Sequence, residues 1–320
     1  MRAVVKILPS IAFICCVATP AAAITCTISQ SSIAFGNVDV LPGAAIDTTG
    51  TITLSCSGAP ASTALRFCTN IEGGTDALGS QRRMASGTDR LNFDVYKDAG
   101  RATLWGSWFS GFDTGGSQND ITSDGAGNVS ATLTVYARLF SSQTTAVPGS
   151  YTETYTGGGS QGTALHYGST AGGASCQTGG SLAFAGTWTV TATVNASCNV
   201  SATNLNFGSF ASLGANVDAT ATVTPQCSNT TPYNIGLNAG NGTGATVATR
   251  KMTSGANTID YSLYTDSGRT TVWGNTIGTN TVSGTGTGST QSLTVYGRIP
   301  SQTTQPPNTY TDTIVVTVTF

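Results

Sequence analysis

The chain is written twice. Cys26 and Cys56 lie thirty positions apart, and Cys198 and Cys227 lie twenty-nine apart. The text around them agrees: SSIAFGNV (31–38) matches ATNLNFGSF (202–210), and TITLSC (51–56) matches ATVTPQC (221–227). Further on, LNFDVYKDAGRATLWG (91–106) matches IDYSLYTDSGRTTVWG (259–274), and ATLTVYARLFSSQTTAVPGSYTET (131–154) matches QSLTVYGRIPSQTTQPPNTYTDT (291–313). The offset shrinks from 172 at the first cysteine to 159 at Tyr151/Tyr310, so loops differ in length while strands keep their pattern. Two copies of this size are homologous domains. A solenoid needs shorter and more numerous units.

Each copy reads as β. Apolar and polar residues alternate with period two at Leu91, Phe93 and Val95, at Leu133 and Val135, and at Ile314, Val316, Val318 and Phe320. Clusters of Gly, Asn, Asp and Ser separate these runs, and no stretch joins helical periodicity to capping residues. The Tyr-x-Asp-x-Gly-Arg segments (Tyr96 to Arg101, Tyr264 to Arg269) read as tight turns with glycine at positive φ. The expected architecture is all-β, two β-sandwiches in tandem.

The N-terminus sets the compartment. Arg2 and Lys6 precede an apolar run from Ile7 to Val17, and small residues end at Ala23. This is the pattern of a signal peptide cleaved after Ala23, and the run is too short to span a bilayer as a helix. Cleavage discards Cys15 and Cys16 and leaves Cys26, Cys56, Cys68, Cys176, Cys198 and Cys227. An even number in an exported chain reads as three disulfides. Cys26–Cys56 and Cys198–Cys227 would each tie a first strand to a second, contributing roughly 3–4 kcal/mol, and Cys68–Cys176 about 4–5 kcal/mol. The last pair has no counterpart in the second copy.

Composition narrows the function. Charged residues make up 9% of the chain, and thirteen basic against fifteen acidic residues give a net charge of −2. No basic stripe is left to hold phosphates, which argues against a nucleic-acid partner. One histidine, His166, excludes a two-histidine metal site. No cofactor or metal is expected, and the arithmetic points away from enzymes.

The ordered set of motifs resembles the spore coat protein U domain, the module used by subunits of archaic chaperone–usher pili. The set comprises a first-strand cysteine followed by a Phe-Gly pair, a second cysteine near thirty residues on, Tyr-x-Asp-x-Gly-Arg-x-x-x-Trp-Gly, Leu-Thr-Val-Tyr-x-Arg, and a C-terminal Pro-x-x-Tyr-Thr-Asp-Thr-Ile-Val-Val-Thr-Val-Thr-Phe. It covers nearly all of the second copy and about two-thirds of the first. The resemblance implies immunoglobulin-like sandwiches, the C-terminal one lacking its last strand. A periplasmic chaperone and then an adjacent pilin would supply that strand, with assembly at an outer-membrane usher. Ile314, Val316, Val318 and Phe320 would line the acceptor groove.

A donor subunit needs an alternating tail before its first core strand. Trp188, Val190, Ala192 and Val194 form such a segment before Cys198, whereas Ile24 and Thr25 alone precede Cys26 after cleavage. A subunit that accepts a strand and has none to donate sits at a fibre end. The division is therefore a signal peptide at 1–23, an adhesin-like domain at 24–186 and a pilin domain at 187–320, with 187–194 able to complete the first domain from within the chain. The resemblance makes the whole a pilus-tip adhesin, exported through the periplasm to the cell surface, for attachment and biofilm formation.

The first copy's departures supply the candidate contact residues: Trp108, Phe109 and Phe112 after the shared Trp-Gly, and Leu165 and Tyr167 in a Gly-rich insertion. On Gly-flanked loops these would meet an abiotic or host surface. Trp105 and Trp273 recur in both copies and read as core. Asp98, Asp266, Arg101 and Arg269 recur too, which favours turn geometry over catalysis. Two other classes stay open. One is a secreted carbohydrate-binding sandwich, with Trp108 or Tyr167 stacked on sugar rings. The other is a glycosidase, for which Glu153 and Asp113 are the non-repeated acids.

Overall fold

The computed structural model describes residues 23–320 except 42, 109, 111, 113, 114, 159 and 160. Apart from Ala23, the leader lies outside the described residues, as do Phe109 and Asp113. The described chain is all-β, with no α-helix among these residues.

Twelve strands build the first sandwich: β1 (Thr25–Gln30), β2 (Ile33–Val38), β3 (Ile46–Ser57), β4 (Ala64–Ile71), β5 (Arg82–Ser86), β6 (Asp89–Tyr96), β7 (Ser117–Thr122), β8 (Val129–Leu139), β9 (Gly149–Tyr155), β10 (Thr163–Ser169), β11 (Ser181–Phe184) and β12 (Trp188–Val194). The larger sheet runs β1-β3-β8-β6-β5-β9-β12-β2 and the smaller β11-β10-β4-β7. Alternation decides which side chains enter. On β3 every second residue from Gly50 to Cys56 is buried and its neighbours are exposed. Ile52, Leu54, Phe67, Phe93 and Trp105 fill the core between the sheets.

Eight strands build the second: β13 (Cys198–Ala202), β14 (Val217–Cys227), β15 (Pro232–Leu237), β16 (Arg250–Ser254), β17 (Asn257–Tyr264), β18 (Val282–Thr285), β19 (Leu293–Ile299) and β20 (Val316–Thr319). The sheets run β13-β14-β19-β17-β16 and β18-β15-β20 around a smaller core that includes Ile235, Leu237, Trp273 and Ile299. Trp105 and Trp273 are buried alike. Their indole N–H groups donate to the carbonyls of Thr69 (3.0 Å) and Ile235 (2.9 Å).

All three disulfides form. Cys26 faces Cys56 across β1–β3, and Cys198 faces Cys227 across β13–β14, each pair with Cα atoms 4.0 Å apart. Cys68 on β4 joins Cys176 in the loop after β10.

The tight turns differ from the expectation in one respect. The residues at positive φ are Arg101 (56°) and Arg269 (58°), not the glycines before them. Glycine leaves the carboxylate its place: a Cβ on Gly100 or Gly268 would stand 3.1 or 3.0 Å from the carboxylate of Asp98 or Asp266, which would have to give by a few tenths of an ångström. Those carboxylates accept the backbone N–H groups of 102 and 103, or of 270 and 271, and so close each turn. The strained arginines reach the Asp47 and Asp218 carboxylates, both at 3.2 Å.

Candidate functional site

The site begins with a strand that changes places. β12 opens the second copy in sequence, yet it lies in the first sandwich. It runs antiparallel to β9, with Trp188 opposite Tyr155 and Val194 opposite Gly149, and parallel to β2 on its other side. Trp188, Val190, Ala192 and Val194 are all buried. The Trp188 ring stacks on Tyr155 with centroids 4.0 Å apart and planes 4° from parallel. Just before it, β11 pairs with β10, Ala164 opposite Phe184 and Tyr167 opposite Ser181. Residues 181–194 therefore follow 149–167 antiparallel across both sheets.

The second sandwich has the rails of this arrangement and, among the described residues, no strand between them. Residues 205–208 correspond to the start of β2, and 308–314 correspond to β9. Neither segment is in a strand. Between them opens a cleft of about 680 Å³, lined among others by Leu205, Phe207, Met252, Tyr310, Ile314 and Val316. Their counterparts in the first domain, Ile33, Phe35, Met84, Tyr151, Tyr155 and Thr163, are all buried, whereas these six are half-buried or exposed. Val318 is half-buried and Phe320 is 56% exposed. Each aliphatic side chain that such a cleft would seal from water is worth about 1.5–3 kcal/mol.

The rails are pre-shaped. Gly36 and Gly208 share a positive φ, 72° and 81°, which places the same bend in both copies. The Tyr151 hydroxyl donates to the Val147 carbonyl and the Tyr310 hydroxyl to that of Pro306, both at 2.9 Å. Thr311 exchanges backbone hydrogen bonds with Thr253, where Thr152 sits opposite Ala85 in the first domain. Asp312 accepts the Asn241 N–H and the Tyr261 hydroxyl, both at 2.8 Å. Burial, and then this carboxylate, pushes the Tyr261 phenol well above its usual range.

Two buried arginines anchor the strands below, and sequence reasoning passed over them. Arg82 donates to the carbonyls of Glu72 (2.9 Å), Ile71 (2.6 Å) and Trp105 (2.7 Å) and to the Asp94 carboxylate (2.9 Å). Arg250 donates to the carbonyls of Asn238 (2.8 Å), Leu237 (3.0 Å), Trp273 (2.7 Å) and Val247 (2.7 Å). Burial pushes the Arg250 guanidinium down to about 10, still charged at neutral pH. The signal was the recurrence of Arg-x-Met at 82–84 and 250–252.

The groove residues Ile314, Val316 and Val318 come together along one wall, with Phe320 at its end. The expected contact residues divide. Trp108 and Phe112 are half-buried, with the Phe112 ring 4.7 Å from the Arg82 guanidinium and the Trp108 ring 5.8 Å from the Lys97 ammonium. Leu165 and Tyr167 are not on a loop surface. They lie on β10 at 0% and 7% exposure, facing inward, and the Tyr167 hydroxyl accepts the Cys26 N–H. They fill the places of Val318 and Phe320 in the first copy. β10 opposes β4 as β20 opposes β15. His166 is half-buried between them, opposite Cys68 on β4 and Leu182 on β11.

Glu153 is buried and accepts the Thr75 N–H (2.6 Å) and hydroxyl (3.0 Å), a turn-closing role. Burial above all raises its pKa. Glu72 is buried as well and accepts the hydroxyls of Ser107 (2.5 Å) and Ser110. Among the described residues no group of His, Cys, Asp and Glu is placed to hold a metal.

Comparison with known proteins finds the same duplication. The family model for the Spore Coat Protein U domain matches twice, over residues 12–157 and 184–317. Protein U of Myxococcus xanthus is 35% identical over 128 residues, which span 36% of this chain and 71% of that protein. Among solved structures, the CsuC–CsuE chaperone–tip adhesion subunit pre-assembly complex from the archaic chaperone-usher Csu pili of Acinetobacter baumannii is similar in fold. That likeness has a TM-score of 0.52 at 19% identity and covers 92% of this chain and all of that one.

Proposed function

The chain belongs to the spore coat protein U domain family, and from that premise we propose that it is the tip subunit of an archaic chaperone–usher pilus. The observation that carries the proposal is the empty cleft of the second domain, whose two rails repeat those that hold β12 in the first. The second domain accepts a strand, first from a periplasmic chaperone and then from the adjacent pilin at the outer-membrane usher. The first domain is already complete and faces outward. The protein is exported through the periplasm, ends at the cell surface and does no catalysis.

Attachment, and biofilm formation with it, is assigned to the first domain, with Trp108, Phe109 and Phe112 as contact residues for an abiotic or host surface. Leu165 and Tyr167 are withdrawn from that set because they are core.

The acceptor reading is tested by appending a copy of residues 181–194 to Phe320 through a flexible linker. The added strand should raise the melting temperature of the second domain by more than about 10 °C. An unchanged melting curve ends the acceptor reading. Changing Trp108, Phe109 and Phe112 to Ser should leave pili intact and abolish binding to hydrophobic plastic. Undiminished binding would acquit these residues.

One observation favours carbohydrate as the ligand instead. A hydroxyl-rich cleft of about 540 Å³ opens beside Thr25, Thr27, Ser55, Ser57 and Asn128 in the first domain. Glycan-array binding that is lost on changing Thr27 and Ser55 to Val would favour that reading.

A further inference from the structure

The two domains meet at a short joint. Three residues, 195–197, separate β12 from β13 and span at most about 10 Å. The joint is also packed. The Asn229 side-chain amide donates to the Thr145 carbonyl (2.9 Å), and the Ser197 hydroxyl donates to Asp39 (2.9 Å). Gly288 is buried against the turn: a Cβ there would stand 1.8 Å from the Thr144 carbonyl oxygen. The turn that bears Thr144 and Thr145 is held stiffly. The Gln143 side chain accepts the Asn92 N–H (2.5 Å) and donates to the Asn92 carbonyl (2.9 Å).

The same turn recurs in the second domain. Ser-Gln-Thr-Thr at 142–145 recurs at 301–304. Gln302 makes the same pair of bonds, to the Asp260 N–H (3.1 Å) and carbonyl (2.8 Å). The Thr304 hydroxyl accepts the Leu213 N–H (3.1 Å), an added brace. Thr303 and Thr304 are exposed. One element of the joint is not repeated, since Ala211 stands where Asp39 does.

We infer that the turn Ser301–Pro306 is a second docking site for the adjacent subunit, separate from the cleft. The partner is a domain of the same fold. It sets a side-chain amide, as Asn229 does, on the Thr304 carbonyl and a glycine, as Gly288 does, against the Thr303 carbonyl. The seated strand supplies the affinity. The turn fixes the angle at which the next subunit leaves, because a three-residue linker brings that surface back onto it. The inference rests on the acceptor reading.

The test uses the protein to make its own partner. The chain is extended after Phe320 by a second copy of residues 168–320, carrying Cys176→Ser because its disulfide partner is absent there. Thr304→Cys in the original second domain is paired with Asn229→Cys in the appended copy and bridged with a short bis-maleimide. Thr145→Cys with Asn229→Cys in the unextended chain is the control. The two pairs should cross-link to within about twofold. Small-angle scattering of the extended chain without added cysteines should show the third domain leaving at the angle of the first joint, and Thr303→Arg should broaden that angle. If the extended chain melts as a unit but the pair cross-links at under a tenth of the control, the inference is overturned and the acceptor reading stands. If the appended copy leaves the original second domain's melting unchanged, the cleft has not been entered and both are overturned.

Discussion

The two domains share a strand plan and differ in what fills one gap. In the first, Ile33, Tyr151, Tyr155 and Leu165 are sealed beneath 181–194. In the second, Leu205, Tyr310, Ile314 and Val318 occupy the same places and stay partly wet. The side chains are equally apolar in both copies, so composition does not explain the contrast. The covering strand does. A sandwich can thus carry a core-quality surface and leave it open where no strand of its own covers it.

The comparison breaks most decisively at the C-terminus. Removing residues 313–320 takes away β20 and the wall of the cleft formed by Ile314, Val316 and Val318, and periplasmic levels of the chain should fall more than about tenfold. Normal levels of the truncated protein would show that the second domain does not need its acceptor wall to survive. Next in size is Trp188→Ala, which empties the stacked site on Tyr155 and should cost the first domain about 3–5 kcal/mol in chemical unfolding. Ile314→Ala, at the counterpart of the Tyr155 on which Trp188 stacks, should cost the chain as it stands under about 1 kcal/mol, because its surroundings are already open. With a donor strand appended the same change should cost about 2–4 kcal/mol. Equal penalties with and without the donor would mean the cleft is not being filled.

The buried arginines offer a finer contrast. Arg82→Met leaves the Asp94 carboxylate without its guanidinium in a dry site and should cost about 3–5 kcal/mol. Arg250 hydrogen-bonds to carbonyls, and the Asp312 carboxylate that favours its charge is itself held by Asn241 and Tyr261, so Arg250→Met should cost about 1–3 kcal/mol. The order of these two penalties, read from the separate unfolding transitions, is the test. Smallest is Glu153→Gln. The Glu153 pKa is raised in the folded state, so its protonated form is the favoured one. Its effect is absent below the unfolded value near 4.5 and grows destabilising as pH rises through the folded value. The glutamine variant should therefore gain a few degrees in melting temperature at pH 7 and nothing at pH 4. A gain at both would assign the effect to packing.

Much of this was legible in the sequence because strands conserve their alternation through duplication. The expected cleavage after Ala23, close before Cys26, and the alternating run at 188–194 were enough to suggest that the second copy's first strand can complete the first copy. Leu165 and Tyr167 were misplaced for an identifiable reason. The Gly-rich insertion at 157–162 separates β9 from β10 and hides their identity with the unbroken run from 308 to 320. Without that alignment two core residues look like loop residues. The glycines of the tight turns suggested positive φ, whereas crowding by an aspartate is a three-dimensional fact that spacing does not display. Arg82 and Arg250 were overlooked because a buried arginine is rare enough that charge is read as surface.

The place of β12 also decides how the chain carries tension. A pull on the second domain enters the first at Val194 and runs along the strand toward Trp188. Neighbours on both sides hold β12 lengthwise, so their hydrogen bonds are strained together in shear and cannot open one after another like a zip. The four buried side chains must also slide past β9 and β2 at the same moment. A fibre that ends in this joint would hold its outermost domain more firmly than one attached by an edge strand peeled from its end.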